Sequence, residues 1–318
     1  MINKGQNLII GVDGGGTKTA VQIASVAQDG SIEVLGEGYG GPSNVRAVGA
    51  EHAKTNLDVA IDAAQAAAAT ATTADYAVLA LAGSSLPDVQ EVIAEWVKRR
   101  RLAEHADIVH DAAAVLTVGI RHGRGVGLIV GTGSVAMGVN TTGEQAVIGG
   151  WGHWFGDQGS GFDLGRRALS AVADAADGIG AQTILANEIT QRLQVEDPRK
   201  IARKLSLAVD IRQEIAALAP LVVNAARNGD EVAEGIVDAG AAATAALVMA
   251  TVSRLQLGND APLALAGGIA CSGDFFRNRL LSQLATLGFT PNPLSVVSKP
   301  VEGSLMLARD RLLARASN

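Results

Sequence analysis

The chain has 318 residues, of which 48% are hydrophobic and 18% charged, a composition typical of a globular protein with two domains of ordinary size. The formal net charge is −6 and the longest basic run is the short patch at residues 98–101, so no nucleic-acid partner is expected. The single cysteine, Cys271, excludes an internal disulfide and a zinc or iron–sulfur site held by several cysteines of one chain. A small, buried residue is the expected role of Cys271.

The sequence predicts a cytoplasmic protein with no membrane partner. The apolar segment at the N-terminus is too short for a signal peptide and runs into a glycine-rich loop. No stretch reaches the roughly 20 apolar residues that span a bilayer. The nearest candidate, residues 239–252, is short, rich in alanine and bounded by Asp238 and Arg254.

The first third of the chain predicts an α/β domain. Residues 8–13, 20–26 and 32–39 are rich in Val and Ile and are separated by glycine turns, which favours three successive antiparallel strands. An alanine-rich helical region is predicted at 45–71, a strand at 76–82, a helix at 87–100 and a strand at 106–110. We expect this domain to cover residues 1–120.

The same pattern then begins again. Strands are predicted at 125–131, 135–140 and 143–148, followed by a mostly helical region and two short strands at 262–266 and 294–297. A closing helix is predicted at 302–316. The repetition predicts a second α/β domain at residues 121–301 that faces the first, with the closing helix packed on the first domain.

The stretch GVDGGGTKTAVQIASV, residues 11–26, has the composition of a phosphate-binding loop. The spacing of its glycines and Lys18 does not fit a Walker A loop, and the β-branched sequel does not fit the helix that follows a dinucleotide fingerprint. The remaining interpretation is a hairpin in which Gly15 and Gly16 let backbone N–H groups approach phosphate oxygens and Thr17 adds a hydroxyl. Asp13 would hold Mg²⁺ through water. The alternative is a tight hairpin without a ligand.

Two later glycine motifs favour the nucleotide interpretation. GLIVGTGSVAMGV repeats the hairpin design, and the glycine pair of LALAGGIA follows a strand where adenine could lie on the backbone. The candidate nucleotide-binding residues of these motifs are Gly131, Thr132, Gly133, Gly267 and Gly268.

DGGGTKT, GTGS and AGG, in this order, resemble the two phosphate motifs and the adenosine motif of the sugar kinase, Hsp70 and actin superfamily. The resemblance spans nearly the whole chain. It implies two ribonuclease-H-like domains, as in actin-like ATPases, that close an interdomain cleft over Mg-ATP.

Asp111, in IVHDAAAV, lies at the end of one predicted strand and the start of a helix. It could cap the helix, and it could also be the general base that accepts the proton of a substrate hydroxyl in phosphoryl transfer. The two roles are compatible. If the strand continues, His110 points to the opposite face and is structural.

The segment GGWGHWFGDQGSGFDLG, residues 149–165, places aromatic and polar side chains among glycines. Ring faces with a few polar groups suit a sugar, whose C–H faces stack on aromatic rings. The alternative is a structured loop anchored by Trp151 and Trp154.

The same segment resembles the sugar-binding loop of N-acetylglucosamine kinases in the BadF/BadG/BcrA/BcrD ATPase family, with Gln158 in place of their glutamate. The resemblance implies that Asp111 is the base, that Thr17 and Thr132 contact ATP phosphates and, less directly, that Ala225 contacts ATP. It also implies a homodimer. The residues that it assigns to the sugar are Asn44, Asp111, Ser134, Val135, Gly150, Trp151, Gly152, His153 and Asp157. The closing stretch SKPVEGSLMLARDRL resembles the C-terminal segment of the family, where Gly303 would let the last helix pack closely.

We therefore predict an ATP-dependent hexosamine kinase that makes a 6-phosphate sugar, with N-acetylglucosamine as the favoured substrate. Glucosamine is the alternative substrate, since Gln158 also occurs in kinases of that sugar. A non-catalytic regulator that binds ATP and sugar stays open as an alternative. Regulators of a related group usually carry a DNA-binding helix-turn-helix before the glycine loop, and only a handful of residues precede the loop here. A cluster-dependent ATPase activator is disfavoured because Cys271 is the only cysteine.

Overall fold

The computed structural model describes residues 7–120 and 124–316. The chain divides into two compact units, residues 1–122 with 299–318 (unit 1) and residues 123–298 (unit 2). Each unit contains one five-stranded mixed sheet with helices, which confirms the predicted α/β class. The domain limits given above stay a prediction.

Unit 1 alternates strands and helices after an initial three-stranded meander. Its elements are β1 (Asn7–Gly14), β2 (Thr19–Val26), β3 (Ile32–Gly40), α1 (Val45–Val48), α2 (Ala50–Ala67), β4 (Ala74–Leu81), α3 (Pro87–Arg100), β5 (Ala103–His110), α4 (Asp111–Gly119) and, at the end of the chain, α13 (Val301–Ala316). The three N-terminal strands pair antiparallel, as predicted.

The predicted helical region at 45–71 is interrupted. Gly49 has φ 79°, outside the helical region, so α1 ends there and α2 begins at Ala50. The second helix ends at Ala67, four residues before the predicted limit. Ala69, with φ 50°, turns the chain out of the helix before the threonines that lead into β4.

Unit 2 repeats the meander and then adds a helical region. Its elements are β6 (Gly125–Val130), β7 (Ser134–Val139), β8 (Gln145–Gly149), α5 (Gly161–Asp177), α6 (Leu185–Leu193), a 3-10 turn (Pro198–Lys200), α7 (Ile201–Leu205), α8 (Ile211–Ala216), α9 (Ala219–Arg227), α10 (Glu231–Arg254), β9 (Leu263–Ala266), α11 (Gly268–Cys271), α12 (Phe275–Thr286) and β10 (Leu294–Val296).

The two sheets have the same topology. Their strand orders are β3-β2-β1-β4-β5 and β8-β7-β6-β9-β10, and in both the first strand pairs antiparallel with the second and parallel with the fourth. Parallel strands end at the same edge of a sheet, where side chains from successive loops meet. In unit 1 this edge holds Asp13, Leu81 and His110, and in unit 2 it holds Val130 and Ala266.

Helix α10 contains the apolar segment at residues 239–252 and extends beyond it at both ends. It has 24 residues and is long and apolar enough to cross a membrane by length and composition alone. Half of its most apolar window is buried inside unit 2, where Val237, Ala241 and Val248 join the hydrophobic core. A core helix passes the same test of length and composition, so α10 is weak evidence for a membrane span.

The last helix, α13, covers the sheet of unit 1 and contacts α4. Leu305 and Ala308 pack with Ile9 and Val78 in a buried cluster. A Cβ at Gly303 would lie 2.0 Å from the carbonyl oxygen of Ala114 in α4, so only glycine allows this approach. The contact places α13 directly against the helix that Asp111 begins.

Candidate active site

The first glycine loop is a closed hairpin between β1 and β2. The N–H of Gly15 donates to the carbonyl oxygen of Lys18 at 3.0 Å, and Thr17 and Lys18 are exposed at its tip. The carbonyl oxygen of Gly15 accepts the N–H groups of Ser43 and Asn44, at 3.1 and 3.3 Å. The hairpin is therefore held from behind while its tip faces solvent, as a phosphate-binding turn requires.

The predicted sugar ligand Asn44 lies next to this hairpin. It caps α1, with its side-chain oxygen accepting the N–H of Arg46 at 3.1 Å. A Cβ at Gly83 would come within 2.6 Å of the same oxygen, so the loop after β4 packs directly on Asn44.

Two residues behind the hairpin were not predicted as part of the site. Thr19 and Ser43 are fully buried, and their hydroxyl oxygens lie 2.8 Å apart. The Thr19 hydroxyl also lies 2.7 Å from the carbonyl oxygen of Gly41. Their only signal in the sequence is a small hydroxyl residue after each glycine turn, a pattern too common to identify them.

Asp13 and Asp111 bring two carboxylates to the same end of the unit 1 sheet. Burial of the half-buried Asp13, and then the charge of Asp111, raise the pKa of Asp13 from 3.8 to about 7, with Lys18 opposing them. A cation beside Asp13 would favour the ionised form of this carboxyl and offset the effect of the nearby Asp111 charge. The nucleotide and acid–base candidates of unit 1 are therefore assembled in one place.

Asp111 is the first residue of α4, and the helix cap is His110, one position earlier than the cap considered above. The carboxylate Oδ1 of Asp111 accepts the N–H of Ala112 at 3.0 Å and lies 2.8 Å from Nδ1 of His110. His110 was expected to point away from Asp111 if the strand continued, and this condition is not met. The strand ends at His110, so the alternation of faces along a strand no longer applies beyond it.

The second glycine loop is the hairpin between β6 and β7, where the N–H of Gly131 donates to the carbonyl oxygen of Gly133 at 2.9 Å. The glycine pair after β9 lies against it. A Cβ at Gly267, which has φ 94°, would come within 2.4 Å of the carbonyl oxygen of Val130. A Cβ at Gly268 would meet nothing within 4 Å, so the backbone is open there, as a site for a flat ligand requires.

Hydrogen bonds join the aromatic glycine-rich segment to the second hairpin. The Ser134 hydroxyl donates to the carbonyl oxygen of Gln158 at 2.8 Å, and the Ser134 carbonyl oxygen accepts the N–H of Gly150 at 3.0 Å. The N–H of Gly161 donates to the carbonyl oxygen of Gly131 at 2.7 Å. A Cβ at Gly150 would lie 3.2 Å from a methyl group of Val135, so Val135 supports the segment from beneath.

The two tryptophans of this segment are open to solvent. Trp151 is 66% exposed and Trp154 is 85% exposed, so neither is an anchor in a core. His153 contacts the ring of Trp154 and meets the ring of Phe162 edge-on at 5.1 Å. Burial, followed by the nearby charge of Arg212, lowers the pKa of His153, which favours a neutral imidazole.

Asp157 is one of two buried carboxylates of the segment, and Asp163 is the other. Oδ1 of Asp157 accepts the N–H of Ser134 at 3.2 Å, and its Oδ2 lies 3.3 Å from a guanidinium nitrogen of Arg212 in α8. Its φ of 59° is in the left-handed region, and a Cβ at Gly133 would come within 2.9 Å of its carboxylate. Arg212 was not predicted, because no motif surrounds it and it lies 55 residues from Asp157.

The structure gives no support to the predicted ATP contact at Ala225. This residue has no exposed surface and belongs to the hydrophobic core of unit 2. The exposed positions of α9 on either side of it are Asn224 and Arg227, and the guanidinium of Arg227 lies over the ring of Phe275.

The chain matches a family model described as the BadF/BadG/BcrA/BcrD ATPase family over residues 10–303. It is 30% identical over 263 residues to an N-acetylmuramic acid/N-acetylglucosamine kinase of Clostridium acetobutylicum, covering 82% of this chain and 85% of that protein. It is 28% identical over 324 residues to an N-acetyl-D-glucosamine kinase of Dictyostelium discoideum, covering 95% of this chain and 98% of that protein.

A crystal structure from Chromobacterium violaceum, of a protein provisionally named an N-acetylglucosamine kinase, superposes with a TM-score of 0.75. The match covers 95% of this chain and 99% of that chain at 24% sequence identity. At that identity the likeness shows a shared fold.

Proposed function

The chain belongs to the BadF/BadG/BcrA/BcrD ATPase family, and from that premise we propose that it transfers the γ-phosphoryl group of ATP to the 6-hydroxyl of N-acetylglucosamine. The observation that carries the proposal is the pair of carboxylates, Asp13 and Asp111, beside the first hairpin. Phosphoryl transfer needs a cation near the phosphates and a base near the acceptor hydroxyl.

Asp111 is the proposed general base. Its Oδ1 is engaged by Ala112 and His110, whereas among the described residues Oδ2 has no hydrogen-bond partner. A carboxylate that is held through Oδ1 can use Oδ2 to accept the proton of an attacking hydroxyl. The O–H bond of the sugar breaks, the oxygen bonds to phosphorus, and ADP leaves with the electron pair of the broken phosphoanhydride bond.

Asp13 is the proposed Mg²⁺ residue. Mg²⁺ keeps several waters and is held by one or two carboxylates together with substrate phosphates. The described residues contain no group of three or more His, Cys, Asp or Glu side chains able to hold a metal. When bound, Mg²⁺ would neutralise phosphate charge.

The proposed nucleotide contacts come from both glycine hairpins and from the open backbone at Gly268. The first hairpin offers the exposed tip at Thr17 and Lys18, and Gly131 lies close to Gly268. Family membership supports the use of ATP by this chain.

The ion pairs of the aromatic segment favour an acetamide sugar over glucosamine. Its two carboxylates are both engaged, Asp157 by Arg212 and Asp163 by Arg166 and Arg167. A glucosamine ammonium bound at this segment would need an unengaged carboxylate there, whereas an acetyl group can lie against an aromatic face such as that of Trp151. The relatives named above for N-acetylated sugars agree with this choice.

The test is ADP release with Mg-ATP and N-acetylglucosamine, glucosamine, N-acetylmuramic acid, N-acetylmannosamine or glucose, with a no-sugar control. We expect sugar-dependent turnover that is greatest with N-acetylglucosamine. Asp111→Asn is expected to lower kcat by at least about 100-fold, the usual worth of a general base. Asp107→Asn on β5, which loses an ion pair with Arg311, is the matched control and should keep turnover.

Sugar-independent ADP release would contradict the kinase proposal and favour an ATPase. Greater turnover with glucosamine would overturn the choice of sugar and leave the phosphoryl-transfer chemistry standing. Normal turnover by a folded Asp111→Asn protein would remove the base assignment.

A further inference from the structure

His110 and Asp111 form a side-chain pair at the junction of β5 and α4. Nδ1 of His110 lies 2.8 Å from Oδ1 of Asp111, and the two side chains are 13% and 12% exposed. The pair stands where the parallel strands of unit 1 end, beside Asp13. Its imidazole is thus in direct contact with the proposed base.

The geometry decides where the imidazole proton lies. An ionised carboxylate only accepts hydrogen bonds, so a close contact between Oδ1 and Nδ1 requires a proton on Nδ1. The N–H of Ala112 is 3.2 Å from Nδ1 and 3.0 Å from Oδ1. The shorter distance and the negative charge assign this N–H to Asp111, so Oδ1 accepts from both Ala112 and His110.

We propose that His110 is a positioning residue for phosphoryl transfer: its Nδ1–H holds Oδ1 of Asp111 and thereby directs Oδ2 toward the acceptor hydroxyl. The inference rests on the proposed role of Asp111 as the base. Two donors on one oxygen restrict rotation of the carboxylate about its χ2 torsion, which is otherwise broad. A base held in one orientation loses less entropy on reaching the transition state.

A purely structural role for His110 makes a different prediction. As the cap of α4, the residue would support the helix, and its loss would lower stability without a specific effect on turnover. Asparagine and serine both cap helices well. Only asparagine places an N–H donor at the position of Nδ1, since the serine hydroxyl ends one bond closer to the backbone.

The experiment compares His110→Ala, His110→Ser and His110→Asn in the full chain by steady-state kinetics, with the melting temperature of each protein. We expect His110→Ala and His110→Ser to lower kcat by about 10- to 100-fold, the cost of a misplaced catalytic group. KM for ATP and for the sugar should stay within about 3-fold of the parent values, because His110 acts in the chemical step. His110→Asn should recover most of the lost kcat.

His105→Ala is the matched control, since His105 lies exposed on the same strand against the ring of Tyr76. It should keep the parent kcat. Equal kcat for His110→Ser and His110→Asn, or a parent-like kcat for His110→Ala, would overturn the proposal. Asp111→Asn distinguishes failure of the positioning role from failure of the base role. If Asp111→Asn is inactive while His110→Ala has normal turnover, only the positioning role of His110 is overturned. If Asp111→Asn is active, the base role of Asp111 is overturned together with the positioning role.

Discussion

At the scale of single residues, the behaviour of Asp13 and of Arg212 depends on charged residues that are distant in the sequence. The Asp13 carboxyl ionises reluctantly because it is desolvated and faces Asp111. Arg212 supplies the positive charge that accompanies the buried carboxylate of Asp157. For each residue, these contacts allow a prediction of how a substitution changes stability, which the residue type alone does not allow.

Asp13→Asn is predicted to stabilise the metal-free protein at pH 8. The pKa of Asp13 is raised from 3.8 to about 7, so between these values the folded state holds a proton that the unfolded state has lost. The free energy of unfolding therefore falls as the pH rises through this window and stays lowered above pH 7. Asparagine removes this loss, which we expect to be roughly 1 to 2 kcal/mol after allowance for partial exposure.

The measurement is urea unfolding of both proteins in EDTA at pH 5 and pH 8. The advantage of the variant should be larger at pH 8, while its kinase turnover with Mg-ATP should fall. An equal advantage at both pH values would show that Asp13 ionises normally.

Arg212→Ala is predicted to weaken both the folded state and sugar binding. The substitution leaves the carboxylate of Asp157, 4% exposed, without its cation, and breaking a buried pair costs about 3 kcal/mol or more. Loosening of Asp157 and the attached Ser134 should raise KM for the sugar more than KM for ATP. Circular-dichroism melting and steady-state kinetics would measure these two effects.

Arg199→Ala provides the comparison, because Arg199 pairs with Asp177 on the surface, where ion pairs contribute little. If both substitutions lowered the melting temperature only slightly, the buried pair of Arg212 and Asp157 would not be needed for stability.

At the scale of elements, close glycine contacts determine how helices pack on the sheets. Gly303 of α13 lies on the backbone of Ala114 in α4, and Gly38 and Gly40 of β3 lie on the backbone of α2. At each of these positions a side chain would push the two packed elements apart, and glycine lets them stay in contact. The helix α4 that carries Asp111 is thus placed by a residue almost 200 positions later in the chain.

Gly303→Ala is predicted to destabilise unit 1, because its Cβ would lie 2.0 Å from the carbonyl oxygen of Ala114. Overpacking of this kind costs about 1 to 3 kcal/mol. Gly235→Ala in α10 is the opposite control: a Cβ there meets nothing within 4 Å, so it should stabilise by about 0.5 to 1 kcal/mol. Chemical unfolding of both variants measures the difference, and equal stability would contradict the packing argument.

At the scale of the whole molecule, the repeated sheet topology gives each unit one glycine hairpin at the end of its first strand. The proposed function needs both hairpins for one reaction. It therefore predicts that a nucleotide slows hydrogen exchange in backbone segments of both units. A homodimer and a cytoplasmic location stay predictions from the sequence.

Hydrogen exchange tests this requirement. Addition of Mg-ADP should slow exchange at residues 14–19 in unit 1 and at residues 131–134 in unit 2, and N-acetylglucosamine should slow it at residues 149–160. Saturating ligand should also raise the melting temperature, since a ligand at 100 times its Kd stabilises the folded state by about 2.7 kcal/mol. Protection confined to one unit would contradict a shared role of the two hairpins.

Much of this architecture could be predicted from the sequence because it depends on local patterns. Runs of β-branched residues between glycines predicted the meanders, and Pro87 marked the start of α3. The strand-to-helix junction at Asp111 was likewise predicted. The interruption at Gly49, the burial of Ala225 and the orientation of His110 were not, since each depends on contacts or backbone angles rather than on local composition.

The sequence by itself determined the fold class, the two hairpin motifs and the candidate base, because glycine spacing and hydrophobic periodicity act over a few residues at a time. Tertiary structure alone decided the partners of those residues. Arg212 pairs with Asp157, His110 contacts Asp111, and burial together with the charge of Asp111 raises the pKa of Asp13. Electrostatic energy depends on distance and burial in space, and neither quantity can be obtained from positions along the chain.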